Sequence, residues 1–497
     1  MGERRWTKGM FETEDWWAFW IGIFFVILGL IAAATYNVET KTGVDLTGWI
    51  VNFPKWVDIS KSLSVDKYHK GFMSGPVAAV VSYVIFTIAT CIGARAMKWD
   101  VKKYFVAWTI IYWLTVIIYI LSRNAYIQAT SLELKKFGIP WSLQIGGAHY
   151  IAALIIGLII GNLAPRGFRE FLRRAARPEW YIKIAIVCLG TKLGLKGIAA
   201  TGYAVHLILA GCCATIAAYL LFWPLAYSVS RRIFKLTREW AATLASGISI
   251  CGVSASIATA GAIRARPIVP VMVSSLIVVF AVIELIVLPY VLAYTPFWGL
   301  NEPIAAGASL GLTVKTDGAD AASGAILDEL LRARAANELG VQWEEGWITA
   351  AAVMTKIWID MFIGIWAFIL AVIWVYHFER RPGERVEKME IWWRFPKFVL
   401  GYFIAMFAIW GLGLGGILSK EALEWGIHPI EGPMRHLFFM LTFTSIGLVT
   451  DFRELKKEGL GRLAVAYAFI LVVIIIPIGW FIAWLFHHGM KPPVVKP

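Results

Sequence analysis

The sequence predicts an all-α polytopic membrane protein of about 13 transmembrane helices: a five-plus-five inverted repeat with interrupted helices, preceded by three extra N-terminal spans. Three observations predict it. The 497 residues are 59% hydrophobic and only 16% charged, with a mean hydropathy of +0.67, against about 45–50% and about 25% in soluble chains. The apolar runs are mostly roughly 18 to 28 residues long, enough to cross about 30 Å of hydrocarbon. The basic residues cluster in alternate loops between those runs, which is an orientation signal.

The runs lie near 15–35, 73–94, 104–122, 145–164, 180–200, 203–228, 240–263, 267–294, 303–326, 347–375, 395–416, 433–450 and 462–486. Trp and Tyr mark many run ends, as at Trp16-Trp17, Trp392-Trp393 and Trp480, like the aromatic belts of membrane interfaces. Glu12, Glu14 and Asp15 precede the first run and no small-residue cleavage site follows it, so that run is expected to persist as a helix. With the N-terminus inside, the loops at Arg95–Lys103, Arg166–Arg177, Arg231–Arg238, Arg380–Arg394 and Arg453–Arg462 also fall inside. Arg264 and Arg266 are the exception, placed outside by this count. The reading is a multi-pass protein of a bacterial inner membrane with a cytoplasmic N-terminus. Its parts are a three-helix extension (1–140), a first five-helix repeat (141–296) and a second, inverted one (297–490).

Two runs are unlike lipid-facing helices. Residues 240–263 contain ASGISICGVSASIATAG, and residues 303–326 contain AAGASLGLTVKTDGADAASGAI with Lys315, Asp317 and Asp320 at membrane depth. Small residues allow close helix packing, and interrupted helices survive in lipid only where protein or water satisfies the freed backbone. Five spans per half force the halves into opposite orientation, the geometry of inverted-repeat carriers with midplane sites. The fourth spans share a short likeness, Ser249-Ile250-Cys251-Gly252 and Thr444-Ser445-Ile446-Gly447. If both break there, their helix N-termini offer an anion cradle, since free N–H groups carry about half a positive charge.

The segments SGISICGVSASIAT (246–259), IGLVTDFRELKKEGL (446–460) and LGTKLGLKGI (189–198) resemble motifs of the YeiH-like sulfate exporter family, over roughly residues 140–486. Lys356 falls where a family lysine follows the Gly-rich span. The resemblance implies an inverted-repeat carrier related in fold to bile-acid and cation/proton antiporter-type transporters, with sulfate or a sulfonate-like anion as cargo. The sequence departs from it where the family has a His-Glu pair and a Gln. Here that stretch reads Val314-Lys315-Thr316-Asp317-Gly318-Ala319-Asp320, and Asp360 stands for the family's Arg.

Charges in a bilayer centre cost about 2.5–3.5 kcal/mol each on insertion scales and persist when paired, wet or functional. Lys192, Glu284, Lys315, Asp317, Asp320, Lys356 and Asp360 all fall in spans. Lys356 and Asp360 share a helix face and can pair, or Lys356 can pair with Asp320 instead. Lys192 is expected to snorkel from a helix end. Glu284 is a neutral acid or a proton carrier, and Asp451 a cap, a partner of Arg453 or an ion-coupling group. The five Cys form no CxxC pair, the eight His show no HExxH spacing, and neither a P-loop nor GxSxG occurs. The net charge of +14 lies in loops, so a nucleic-acid partner is not expected.

The expected function is secondary active transport of a small anion by alternating access, coupled to H⁺ or Na⁺, without cofactor or metal, and not an enzyme. Ser249, Cys251, Gly252, Ser254, Thr444, Ser445 and Gly447 would form the cradle, with Lys315 and Lys356 offsetting substrate charge. Asp317, Asp320 and Asp360 would couple the ion. A passive anion channel, and behind it a membrane-embedded enzyme, are the alternatives; a homo-oligomer is compatible. Residues 327–346 read as an exposed helical insertion, and the 36–72 loop as a place for an interfacial helix.

Overall fold

The computed structural model describes residues 9–145, 147–266, 268–374, 392–393, 395–450 and 460–495. Every expected span coincides with a helix or a pair of helices, and no strand forms among the described residues. The N-terminal helices are α1 (Glu14–Thr35), α2 (Gly75–Ala96) and α3 (Val101–Ser122). The Thr13 hydroxyl accepts the Trp16 N–H (3.4 Å) and the Asp100 carboxylate accepts that of Lys103 (3.2 Å), so both outer helices start on side-chain caps. The 36–72 loop holds only two single 3₁₀ turns, at Ile59–Lys61 and Lys67–His69, rather than an interfacial helix. Next come α4 (Ala148–Leu163), α5 (Pro178–Ala199) and α6 (Thr201–Arg232).

The run 240–263 does not cross. It forms α7 (Arg238–Ser249) and α8 (Gly252–Ala262), of 12 and 11 residues. At 1.5 Å per residue each arm reaches about half the hydrocarbon thickness. The arms pack on each other, and Arg266, just beyond α8, bonds back to Glu239 at the start of α7 (Nε to Oε1, 2.7 Å). Entrance and exit are therefore on one face. After α9 (Ile268–Tyr294), a second hairpin forms from α10 (Pro303–Thr313) and α11 (Asp317–Arg334). The next helix is α12 (Trp347–Met361). Gly307 faces Ile348 and Gly311 faces Ala352, so α10 runs parallel to α12. Gly324 faces Thr349 and Ala352, while Asp328 accepts from the N–H groups of Gly346 (2.9 Å) and Ile348 (3.1 Å), so α11 runs antiparallel. The Arg334 guanidinium returns to the Ala293 carbonyl beside the hairpin's start.

Thirteen expected spans thus become eleven crossings and two re-entrant hairpins, counted over the described residues. This correction removes the one exception in the charge pattern. With α7–α8 turning back, Arg264 and Arg266 join Arg231–Arg238 on the face where α1 begins, here the N-terminal face. The second hairpin enters from the far face. Residues 327–346 are also not an exposed insertion: Leu327, Leu330, Leu331, Ala335 and Ala336 are buried as the outer end of α11 and the turn after it.

The remaining helices are α13 (Ile363–Ile373), α14 (Lys397–Leu414), α15 (Lys420–Pro429), α16 (Arg435–Val449), α17 (Leu460–Ile470) and α18 (Ile476–His487). Among the described residues, eight helical runs are long and apolar enough to cross a membrane by themselves; α4, α5 and α16, the other three of the eleven, fall short of that in length or hydropathy. Packing sorts the helices into two bundles that do not follow chain order. In the first, α5 packs on α14 and α4 on α16; α1 lies along α5, α14 and α15, and α3 along α4 and α16. In the second, α6, both hairpins, α9, α12, α13, α17 and α18 pack together. Between the bundles, α11 is the main contact, against α4, α5 and α16.

Candidate functional site

The two hairpins meet tip to tip. Ile250-Cys251 and Val314-Lys315-Thr316 leave helical geometry, with Cys251 and Thr316 extended. Each tip frees backbone groups that must find partners in a dry interior. The Gly252 N–H donates to the Lys315 carbonyl, and the Lys356 ammonium donates to the Ile250 carbonyl at 2.9 Å. Lys356 lies nine residues into a 27-residue helical run, about 14 Å from its far-face end. The tips therefore meet near the middle of the membrane.

Around that contact the structure gathers a charged cluster. The Cys251 thiol donates to Asp317 Oδ1 (3.0 Å), and Lys356 Nζ lies 3.8 Å from Asp317 Oδ1 and 3.7 Å from Asp360 Oδ1. Lys356 and Asp360 form the expected pair; Asp317 is the second partner, and Asp320 stays outside ion-pair distance. Donor atoms of Cys251, Asp317 and Asp360 fall within 4.8 Å of one another, a set able to hold a cation, with the Lys356 ammonium at its edge. Ser249, Cys251, Lys315, Asp317, Asp320, Lys356 and Asp360 are 0–3% exposed. Among the described residues, Ser249 Oγ and both carboxylate oxygens of Asp320 and Asp360 lack a hydrogen-bond partner. Lys315 turns back to the Leu312 carbonyl and covers the Phe222 ring at 5.1 Å.

Sequence reading missed part of this environment. Tyr467 donates to Glu284 Oε1 (3.1 Å), leaving Glu284 Oε2 buried and unpartnered. Glu179, at the N-terminal end of α5, approaches Gly318 at the second tip. Glu284 stood out as a lone acid in an apolar run, but nothing local in the sequence pairs Tyr467 with it. Together Lys315 and Lys356 face Glu284, Asp317, Asp320 and Asp360, so among these six groups carboxyls outnumber ammonium groups by two. Burying such a surplus unpaired is costly. A surplus of that kind is relieved by protons or by a bound cation.

The second half of the expected cradle is elsewhere. Residues 444–447 lie inside the unbroken helix α16. Thr444 Oγ1 donates to the Met440 carbonyl (3.0 Å) and receives Thr115 Oγ1 (3.0 Å), while Gly447 packs against Leu154 and Gly157 of α4. Ser445 Oγ is buried without a partner within the first bundle. These residues are a helix-packing seam and not the helix N-terminus that an anion cradle requires. Ser254 is also displaced, lying on the exposed side of α8. Lys192 does not snorkel; it is 7% exposed and bonds to Glu345 (2.6 Å). Asp451 lies outside the described residues, as does most of the TDFREL segment.

The family model described as conserved hypothetical protein 698 matches residues 125–466, which hold both hairpins and the cluster. The chain belongs to that family. A UPF0324 membrane protein of Nitrosomonas europaea is 48% identical over 99% of both chains, so that relative shares the N-terminal extension as well. An uncharacterized protein of Archaeoglobus fulgidus is 49% identical over 29% of this chain and 88% of its own length. A UPF0324 membrane protein of Nitratidesulfovibrio vulgaris is 30% identical over 73% of this chain and 56% of its own. No solved structure matches this chain.

Proposed function

We propose that this family member is a secondary transporter in which the hairpin-bearing bundle moves a small oxyanion past the other bundle, together with H⁺ or Na⁺. The observation that carries the reading is the tip-to-tip contact of two half-depth hairpins from opposite faces, with buried, unmatched carboxylates around it. Backbone that breaks at membrane depth around a polar cluster is the usual architecture of carrier sites. The direct Gly252–Lys315 bond closes the path between the tips, which favours alternating access over an open pore. The oxyanion class, sulfate or a sulfonate, comes from the resemblance to sulfate exporters. An anion can rest among four carboxyls only once they are neutralised, so the cation is a required companion.

The same reading makes the two bundles products of an inverted repeat whose order is permuted along the chain. Then α4, α5, α6, the first hairpin and α9 correspond to α14, α16, α18, the second hairpin and α12–α13. The reciprocal packing of α5 on α14 and α4 on α16 supports this pairing. The basic loops on the N-terminal face support a cytoplasmic N-terminus in a bacterial inner membrane.

Flux into proteoliposomes tests the proposal. Asp317→Asn and Lys356→Ala are each expected to abolish saturable, ion-gradient-dependent uptake of sulfate or a sulfonate while the protein still folds. Wild-type flux from both variants would remove the cluster from the mechanism.

A further inference from the structure

On the far face, a polar cavity of about 380 Å³ opens between the two bundles and the N-terminal extension. At its floor, one oxygen of Glu345 receives Lys192 Nζ (2.6 Å) and Arg435 Nη2 (2.8 Å) and lies 3.1 Å from His436 Nε2, which is itself 2.9 Å from Arg435 Nη2. The exposure pattern is the reverse of an ordinary surface pair. The Lys192 and Arg435 side chains are 9% and 2% exposed, whereas the Glu345 side chain is 40% exposed and sits on the loop before α12.

The donors are also held from behind, independently of Glu345. Arg435 Nε donates to the Glu431 carbonyl (2.5 Å), and its guanidinium lies over the Phe439 ring at 5.4 Å. The Tyr150 hydroxyl bonds His436 Nδ1 at 2.6 Å, and Glu431 Oε2 lies 3.4 Å from Lys192. Removing Glu345 would leave Lys192 and His436 on the cavity wall, with Arg435 in the small recess that adjoins it, while the carboxylates of Asp66, Glu329, Glu344 and Glu431 stay along the lining. Arg123 and Lys67 line the same cavity and form no ion pair among the described residues; Arg123 spends its donors on Phe53 O (3.0 Å) and Gln128 Oε1 (3.4 Å). Fixed, buried donors converging on one partly exposed carboxylate make a preorganised oxyanion receptor already filled by a side chain.

We infer that Lys192, Arg435 and His436 form an extracytoplasmic oxyanion-binding site in which the Glu345 carboxylate stands in for the ligand until sulfate or a sulfonate displaces it. The inference deepens the transport reading and rests on it for the ligand class. Glu345 belongs to the hairpin-bearing bundle, and Lys192 and Arg435 to the other, so displacement also releases a tie between the bundles. Oxyanion arrival and permission to move then become one event.

Equilibrium binding to the purified full-length protein tests this without any flux, so its failure leaves the hairpin cluster untouched, and the reverse. Sulfate, methanesulfonate and chloride are titrated by calorimetry. Glu345→Gln, which removes the competing charge, is expected to bind sulfate at least tenfold more tightly than wild type. Adding Arg435→Gln should abolish that gain. Unchanged or weaker sulfate affinity in Glu345→Gln overturns the inference and leaves Glu345 as a staple. An equal gain for chloride overturns the oxyanion class. Should that variant not fold, wild-type protein serves: saturating sulfate is expected to speed trypsin cleavage after Arg334, at the end of α11, several-fold, and an unchanged rate overturns the proposal.

Discussion

Two segments of nearly the same composition, Ser249–Gly252 and Thr444–Gly447, end in opposite structures. The first ends an arm of 12 residues, turns through two non-helical residues and passes its freed carbonyl to Lys356. The second stays helical, its Thr444 hydroxyl satisfied within and beside the helix and its glycine pressed against α4. The difference is in what surrounds each. A break in lipid requires partners for the released backbone groups, and only the first segment has them, in the facing tip and a buried ammonium. A short motif therefore says little until the partners of its backbone are known.

The sharpest way to break the contrast is to remove that ammonium. Lys356→Ala strands Asp317 and Asp360, and breaking a buried pair costs about 3–5 kcal/mol. Thermal melting in detergent should show the loss, with partial recovery in Lys356→Ala/Asp360→Asn; a melt like wild type would mean the tip needs no cation. Next, Gly447→Leu should cost about 1–3 kcal/mol through overpacking against the α4 backbone. If it melts normally, residues 444–447 are not the seam described.

A third test uses pH to loosen the N-terminal loop from the first bundle. His428 Nδ1 lies 2.6 Å from Asp66 Oδ2 and ties the N-terminal loop to α15. Burial alone would lower the His428 pKa, but the bonded Asp66 and nearby Glu431 raise it above its ordinary value. Burial would likewise raise Asp66, but His428 holds it low. The His428 contribution is complete below pH 6.5 and fades as pH rises through the raised value; that of Asp66 is present above pH 3.8 and fades as pH falls through the lowered one. Trypsin cleavage at Lys61, Lys67 or Lys70 should accelerate a few-fold from pH 6 to pH 9, and His428→Ala should flatten the change. The smallest effect is expected from Ser445→Ala, with flux within about twofold of wild type; a tenfold loss would return residues 444–447 to the transport path.

The helices were legible because length and hydropathy encode them directly. Direction was not. A run such as 303–326 has the residue count of a crossing, and only Gly307, Gly311 and Gly324 in their tertiary setting reveal that its halves oppose each other. The sequence did hold one clue, since Arg264 and Arg266 broke an otherwise consistent charge pattern. Within the site, Lys356–Asp360 was readable from helical spacing, whereas Cys251–Asp317 and Glu284–Tyr467 join residues 66 and 183 positions apart. No local periodicity reports such pairs.

Because the two tips meet at mid-depth, a charge handed across Gly252 and Lys315 passes through part of the field across the bilayer. Moving one elementary charge through the whole of that field is worth about 2.3 kcal/mol per 100 mV. Traffic past Lys356 that carries net charge is therefore sensitive to the voltage of the cell.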